Sequence, residues 1–248
     1  MIIDVHVHAG KRTPVAPLAK ACRPLGIEKV VYMGPLDVVC RAYRQAKDFI
    51  VPFYHIDLDA VTPEDVRRGL DAGVRGFKII CPRWNYDDER YFPIYAEVEK
   101  GRKTILAHTG IVARRGRYQR SQRSSARMRP IYLDTLARAF PRINWIGAHL
   151  GNPWYEEAAE TARWNPNVAF DLSGTTLVKM TPRLGDFARI LWWPTACQSI
   201  VFGSDTGIGG LPGAVDNYKR LLDALRLDEK SRALIWHKNA ERLLKLAR

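Results

Sequence analysis

The sequence predicts an α/β protein that folds as one (β/α)8 barrel, a TIM barrel, with extra helices towards its C-terminal end. The length of 248 residues suits one such domain, so we treat 1–248 as a single unit. Strand-like and helix-like stretches alternate along the chain, and eight strands can be counted. No G-x-G-x-x-G or G-x-x-x-x-G-K-[ST] motif follows a strand, which disfavours an open nucleotide-binding sheet. The pattern is also compatible with a distorted barrel.

Each predicted strand is a short apolar run, and most are rich in valine and isoleucine. Turn residues follow some of them, such as Gly34-Pro35 after the second strand. The predicted strands cover 2–7, 28–33, 51–57, 74–80, 103–107, 143–148, 168–172 and 199–203.

Helix-like stretches separate these strands. The clearest helix start is Thr62-Pro63-Glu64-Asp65, where a capping residue precedes a proline and two acids in the first turn. Gly73 ends that helix. The predicted helices cover 15–25, 36–49, 62–72, 91–100, 131–140, 155–164 and 182–191, and the closing helices cover 212–225, 228–237 and 240–246.

The composition narrows the class of protein. A hydrophobic fraction of 46% supports a large core, and no apolar run reaches the roughly 18 residues that span a bilayer. The cysteines are far apart and form no C-x-x-C pair, which disfavours a thiolate zinc site or a disulfide framework. We therefore expect a cytoplasmic protein without membrane contact. The net charge of +13 is compatible with a well-solvated surface or with affinity for anions or nucleic acid, and the distribution of the charges decides more than their total.

The first strand carries two histidines in the run Asp4-Val5-His6-Val7-His8. Side chains two residues apart on a strand share one face and lie about 7 Å apart, so both imidazoles can reach one metal ion. On a helix the same spacing would splay them. Alone, the pair is weak evidence, because buried histidines often only satisfy backbone groups.

Further polar residues fall where later strands end. Lys78 lies near the end of the fourth strand, and His108, His149 and Asp205 end the fifth, sixth and eighth. In a (β/α)8 barrel these ends meet at one mouth, where active sites lie. Each residue alone is explained by hydrogen bonding in a core. Together, four imidazoles, a carboxylate and a lysine are costly to desolvate unless a cation holds them, so we predict a metal site.

These residues and three local runs carry a family resemblance. The runs are A-H-L-G-N-P-W at 148–154, N-P-N-V-x-x-D-L-S-G at 165–174 and F-G-S-D at 202–205. Together with H-x-H on the first strand, they resemble the amidohydrolase superfamily and, within it, the amidohydrolase-2 branch of metal-dependent hydrolases and non-oxidative decarboxylases. The resemblance spans nearly the whole chain.

The resemblance implies that His6, His8, His108 and Asp205 bind one divalent metal, with His149 outside the ligand set and facing the substrate. Nitrogen-rich ligation with one carboxylate suits zinc, and manganese or iron are alternatives. Two-metal relatives offer another arrangement, in which a carboxylated Lys78 bridges two ions and His149 joins His108 on the second. The three sequence runs that resemble the amidohydrolase-2 branch favour the arrangement with one metal ion.

The implied chemistry is activation of water next to a carbonyl group. Asp205 would take the proton of the water and pass it to the leaving group, and His149 would donate to the developing oxyanion or orient the water. Lys78, unless carboxylated, could pair with a substrate carboxylate. Asp4 shares the predicted inward face with the histidine pair, where it either orients an imidazole or is a buried, hydrogen-bonded carboxylate.

Other residues are candidates for substrate contact. Arg83 follows the fourth strand, and Trp154 follows the sixth, where wall and packing roles are equally open. His55 and His237 are expected to be structural.

A basic segment, 111–129, follows the fifth strand and contains no acidic residue. It is a solvated loop, a lid that binds an anionic substrate through bidentate arginine contacts, or a nucleic-acid patch. The last interpretation is disfavoured because only Tyr118 is available for base stacking. Its arginines are Arg114, Arg115, Arg117, Arg120, Arg123, Arg127 and Arg129.

The leading functional prediction is a metal-dependent hydrolase that acts on a small, anionic carbonyl compound. The alternative on the same scaffold is a non-oxidative decarboxylase of an unsaturated or aromatic acid. A phosphoesterase or nuclease is disfavoured because a carboxylate would be expected in place of Lys78. A nucleic-acid-binding protein that uses 111–129 is a hypothesis of another class, and a homo-oligomer is left open.

Overall fold

The computed structural model describes residues 1–112, 124–174, 176 and 184–246. Eight parallel strands follow one another around a single sheet in the order of the sequence. This order confirms the predicted (β/α)8 barrel. The strands are β1 Ile2–His8, β2 Ile27–Gly34, β3 Ile50–His55, β4 Gly76–Ile79, β5 Thr104–Ala107, β6 Asn144–Gly147, β7 Val168–Asp171 and β8 Ile200–Val201.

The barrel is nearly closed, and the chain that follows β8 completes the join to β1. The Val5 amide donates to the Phe202 carbonyl at 3.0 Å, and the Asp205 amide donates to the His6 carbonyl at 2.9 Å. The predicted eighth strand, 199–203, shortens to two residues because the Phe202 amide donates to Ile235 outside the sheet. The last strand segment thus places Asp205 directly beside His6.

Helices lie between the strands, and the predicted C-terminal helices are present. The helix predicted over 36–49 ends at Gln45, because Ala46 leaves helical geometry at φ −149°. Within the described residues no helix combines the length and apolar character needed to cross a membrane. The α-helices are α1 Val15–Cys22, α2 Leu36–Gln45, α3 Pro63–Asp71, α4 Phe92–Lys100, α5 Tyr132–Ala139, α6 Tyr155–Trp164, α7 Leu184–Ile190, α8 Leu211–Ala224, α9 Glu229–Ala233 and α10 Asn239–Leu244.

The predicted start of α3 is confirmed in detail. The Thr62 hydroxyl accepts from the Asp65 amide at 3.3 Å, and the Asp65 carboxylate accepts from the Thr62 amide at 2.9 Å. The two residues form a capping box, which satisfies amides that the first helical turn leaves without partners.

Two apolar clusters build the core. The larger lies between the strands and the surrounding helices. The smaller fills the barrel interior, where Ile3, Val31 and Leu106 pack with Leu243 and Leu244 of α10. The C-terminal helix therefore plugs the end of the barrel at which the strands begin, and the opposite end remains the mouth.

A β-bulge in β1 changes which side chains face the interior. Asp4 pairs with Val30 and Val7 with Tyr32, so β1 advances three residues where β2 advances two. Ile3, before the bulge, and Val5, within it, are in the interior cluster. Because of the extra residue, His6 faces inward directly after Val5 and is followed by His8, so both imidazoles point into the mouth.

The bulge overturns the prediction that Asp4 shares the inward face with the two histidines. Because Ile3 and Val5 on either side of it face inward, Asp4 points to the opposite face. There its Oδ1 accepts from the His6 amide at 3.0 Å and the Ser204 amide at 2.9 Å. Asp4 is thus the buried, hydrogen-bonded carboxylate of the two alternatives.

Gly76 is a sharp test of this packing. A Cβ there would lie 2.5 Å from the Thr104 carbonyl oxygen and would overlap the Phe53 ring. Because the carbonyl belongs to the neighbouring strand, we expect Gly76→Ala to lower the free energy of unfolding by about 1–3 kcal/mol. Denaturant unfolding measures the change. The control is Gly213→Ala in α8, where nothing lies within 4 Å of the added Cβ and stability should be unchanged or slightly higher. Equal stability of the two variants would contradict this packing.

Candidate metal centre

Four residues predicted from different strand ends converge at the mouth. His6 lies in β1, His108 follows β5, His149 follows β6 and Asp205 follows β8. His6, His108 and His149 are buried, whereas about half of the His8 side chain is exposed. The carboxyl ends of parallel strands thus bring together residues up to 199 positions apart, since Asp205 lies beside His6.

Three imidazoles approach the carboxylate of Asp205. Its Oδ1 lies 3.3 Å from Nε2 of His8 and 3.6 Å from Nε2 of His6. Its Oδ2 lies 3.7 Å from Nε2 of His149. One ligand atom each from His6, His149 and Asp205 lie within 4.8 Å of one another, so these three could hold a metal ion. The His108 ring lies beside that of His149, with centroids 4.9 Å apart.

The backbone at His149 departs from a simple strand end. Ile146 and Ala148 belong to the interior cluster, so strict alternation would turn His149 away from the mouth. Instead His149 and Leu150 adopt positive φ angles of 63° and 45°. This left-handed turn, uncommon for residues with a side chain, aims the imidazole back towards Asp205.

Asp171 is a site residue that sequence analysis missed. It ends β7 and is fully buried, and its Oδ2 accepts from Nδ1 of His6 at 2.8 Å. Its Oδ1 accepts from the amides of His149 and Ser173, each at 2.9 Å, and from the Ser173 hydroxyl at 2.5 Å. An acid at the end of an otherwise apolar strand was the available signal, the same signal that singled out Asp205.

The local environment favours the neutral form of two imidazoles, His6 and His108, and the ionised form of two carboxylates, Asp171 and Asp205. Burial lowers the pKa of His6 to about 4 and holds that of His108 well below its ordinary value. Burial alone would raise the pKa values of Asp171 and Asp205, but interactions with His6 and the other imidazoles hold both well below the ordinary range. Neutral imidazole nitrogen and carboxylate oxygen are ligands that divalent metals bind.

Buried polar atoms without hydrogen-bond partners indicate whether the mouth suits a metal ion. Because His6 donates through Nδ1 to Asp171, its Nε2 carries a lone pair that faces Asp205. Among the described residues, Nε2 of His6 and Nε2 of His108 are buried without a hydrogen-bond partner. Buried lone pairs that converge on a carboxylate are unfavourable without a cation or a proton between them. The donor set therefore fits a divalent ion, and nitrogen with oxygen suits zinc.

Lys78 lies on the interior face of β4, opposite His55 of β3. It is fully buried, and its Nζ has no hydrogen-bond partner among the residues that the structure describes. Burial lowers the pKa of Lys78 to about 8, against the opposing effect of Asp205 and Asp171. An amine held in this way is available to a ligand that enters the mouth.

Arg83 and Trp154, the remaining candidates for substrate contact, lie in different surroundings. Arg83 is exposed, and its amide donates to Asp59 at 2.7 Å. The Trp154 ring lies 5.6 Å from the Arg129 guanidinium, which also pairs with Glu157. This contact gives Trp154 a packing partner.

The structure also gives the surroundings of His55 and His237, the two histidines that are expected to be structural. His55 borders a cavity of about 660 Å³ between β3, α2 and α3, and burial lowers its pKa to about 4. His237 pairs with Glu241 at 3.1 Å in the C-terminal helical region.

Most of the basic segment 111–129 lies outside the described residues, which omit 113–123. Five of its seven arginines fall there, so the predicted loop, lid or nucleic-acid patch lies mostly outside the described residues. Of the described pair, Arg129 pairs with Glu157, and Arg127 has a buried Nη1 without a partner among the described residues.

Solved structures with the same fold include three informative neighbours. An uncharacterized TIM-barrel protein from Bordetella bronchiseptica is 20% identical, with a TM-score of 0.75 over 98% of each chain. A 5-carboxyvanillate decarboxylase from Sphingomonas paucimobilis is 13% identical, with a TM-score of 0.71 over 99% of each chain. A probable 2-pyrone-4,6-dicarboxylic acid hydrolase from Acinetobacter baumannii, solved with citric acid bound, is 14% identical, with a TM-score of 0.68 over 99% of each chain. At these identities the likeness establishes the fold.

The family follows from the sequence itself. No curated protein sequence matches the chain significantly. The family model described as amidohydrolase, of the second amidohydrolase group, matches residues 3–246. This match covers every strand except the first residue of β1, together with the whole mouth, and it confirms the resemblance seen in the sequence motifs. The chain belongs to the amidohydrolase-2 family.

Proposed function

We propose that this protein is a metal-dependent hydrolase that activates water to attack a small, anionic carbonyl substrate. The observation that carries the proposal is the convergence of imidazole lone pairs on the ionised Asp205, in a mouth that buries most of these groups. The proposed ligands are His6, His8, His108 and Asp205.

A divalent ion bound there would polarise a carbonyl group and lower the pKa of a water molecule. The side chains supply the proton transfers. Asp205 is ionised, so it can accept the proton of the attacking water and later return it to the leaving group. His149 either donates to the developing oxyanion or orients the water from the opposite side of Asp205.

We propose that the substrate is anionic because Lys78 brings an amine without a partner into the mouth. The solved neighbours support this class, since the two enzymes among them are named for carboxylated compounds. Arg83 and Trp154 are proposed as further substrate contacts at the rim. No finding supports nucleic-acid binding through 111–129.

Metal content is the direct test of the centre. We expect about one divalent ion per chain, zinc before manganese or iron. Chelation should lower the midpoint of thermal unfolding, because a ligand that binds only the folded state stabilises it by about 4 kcal/mol at roughly a thousand times its Kd. Elemental analysis and calorimetry measure both quantities.

The matched variants are His108→Ala and His237→Ala. The first removes a proposed ligand and should reduce metal content, whereas the second removes an imidazole outside the mouth and should not. Protein that takes up no zinc and unfolds at the same temperature after chelation would contradict the proposal. Two ions per chain would instead favour the carboxylated Lys78 arrangement.

A non-oxidative decarboxylase is the second candidate, because 5-carboxyvanillate decarboxylase shares the fold. Incubation in H₂¹⁸O with 2-pyrone-4,6-dicarboxylate or 5-carboxyvanillate separates the two chemistries. A hydrolase opens the lactone and incorporates ¹⁸O into the ring-opened acid, whereas a decarboxylase releases carbon dioxide and leaves the organic product unlabelled. Release of carbon dioxide alone would replace the leading proposal with the second.

A further inference from the structure

Ser173 links two parts of the mouth that the proposed mechanism treats separately. It is buried, two residues after β7, and its Oγ lies 2.5 Å from Oδ1 of Asp171 and 2.9 Å from Nδ1 of His149. The second nearby ring nitrogen, Nδ1 of His6, is 3.4 Å from this oxygen but only 2.8 Å from Asp171, to which it therefore donates.

The direction of these hydrogen bonds follows from what each group can donate. An ionised carboxylate only accepts, so the single hydroxyl proton of Ser173 points to Asp171. The Ser173 oxygen then has only lone pairs left for His149. A hydrogen bond between the two requires that Nδ1 of His149 carries a proton, which leaves Nε2 of the neutral ring without one.

The surrounding backbone holds the His149 ring against Ser173. The His149 amide donates to Asp171 at 2.9 Å, and its carbonyl accepts from the Thr176 hydroxyl at 2.6 Å. Gly174 has a φ of 68°, and a Cβ there would lie 3.1 Å from Nδ1 of His149. A side chain at this position would crowd the ring, so the approach of the 173–174 backbone is part of the arrangement.

We infer that Ser173 is a positioning residue that fixes His149 in the tautomer with its proton on Nδ1. The Nε2 lone pair then faces Oδ2 of Asp205 across 3.7 Å. This assignment rests on the proposed function in one respect: it selects between the two roles of His149. A neutral ring in this tautomer accepts a hydrogen bond from the water, or binds a cation, and cannot donate to an oxyanion.

The tautomer can be measured without metal or substrate. ¹⁵N-labelled histidine in the metal-free protein at about pH 8.5, roughly two units above the ordinary imidazole pKa, reports which ring nitrogen is protonated. His149→Gln identifies the signals of His149. We expect the Nδ1–H form in the unmodified protein and a shift towards Nε2–H in Ser173→Ala, where Nδ1 loses its acceptor.

Zinc affinity gives a second readout. Ser173 also donates to Asp171, which holds the proposed ligand His6. Residues that orient a metal site from outside it change affinity by roughly 10–100-fold, so we expect Ser173→Ala to weaken zinc binding by about tenfold or more. Ser173→Thr keeps the hydroxyl and should retain both the tautomer and the affinity. Ser204→Ala is the matched control, because Ser204 is also buried after a barrel strand but lies beside Asp4, to which its amide donates at 2.9 Å.

An Nε2–H signal for His149 in the unmodified protein would overturn the inference even if Ser173→Ala does not fold. The same tautomer in Ser173→Ala as in the unmodified protein would also overturn it. These outcomes are separable from failure of the proposed function, because the tautomer is read before any metal or substrate is added.

Discussion

Replacing Asp205 with asparagine is expected to reduce turnover by about a thousandfold or more, because general acid–base transfer contributes roughly 10²–10⁴-fold. The amide cannot accept the proton of the attacking water, and its NH₂ group would donate where the carboxylate accepts. Nε2 of His6 and Nε2 of His8 now lie within 3.6 Å of this carboxylate and would still face the mouth. The amide oxygen also retains a lone pair, so metal should remain partly bound.

The measurement pairs turnover of the hydrolysed compound with metal content of the same sample. Asp37→Asn is the control, since Asp37 lies exposed on α2 and pairs with Arg41 at 2.9 Å. It should match the unmodified protein in both quantities. Full activity in Asp205→Asn would remove Asp205 from the mechanism, whereas loss of metal with loss of activity would make it a ligand without a separate role in proton transfer.

Replacing Asp171 with asparagine is expected to be the most destabilising change at the mouth. The carboxylate is fully buried and accepts four hydrogen bonds, from His6, His149 and twice from Ser173. An amide turns at least one acceptor into a donor that faces a donor. Disrupting a buried charged network of this kind costs about 3–5 kcal/mol of the free energy of unfolding.

Denaturant unfolding measures that loss, and zinc titration of the folded variant should show affinity lower by about tenfold or more. Asp223→Asn provides the comparison, because Asp223 is largely exposed and pairs with Arg232 on the surface. It should change stability by less than about 1 kcal/mol. Asp171→Asn with unaltered stability and unaltered zinc affinity would show that the His6 and His149 rings do not depend on Asp171.

Prediction from sequence succeeded where a local pattern was sufficient. The capping box at Thr62 and Asp65 formed as expected, because both of its partners lie within one helical turn. The alternation of strands and helices was correct because hydrophobic runs and turn residues are local signals. Boundaries were less accurate where the tertiary structure redirects the backbone, as at Phe202, whose amide leaves the sheet for Ile235.

The sequence by itself determined the barrel, the order of its strands and, except for Asp171, the polar residues at the strand ends that form the mouth. Only the tertiary structure decided how those residues face one another. The bulge in β1 turns Asp4 outward and His6 inward, and the left-handed turn at His149 aims a ring that alternation would point away. Asp171, at the end of β7, accepts from the imidazole of His6, 165 residues away, and from the backbone amide of His149. A periodic pattern predicts where a strand ends, but hydrogen bonds between distant strand ends exist only once the barrel has closed.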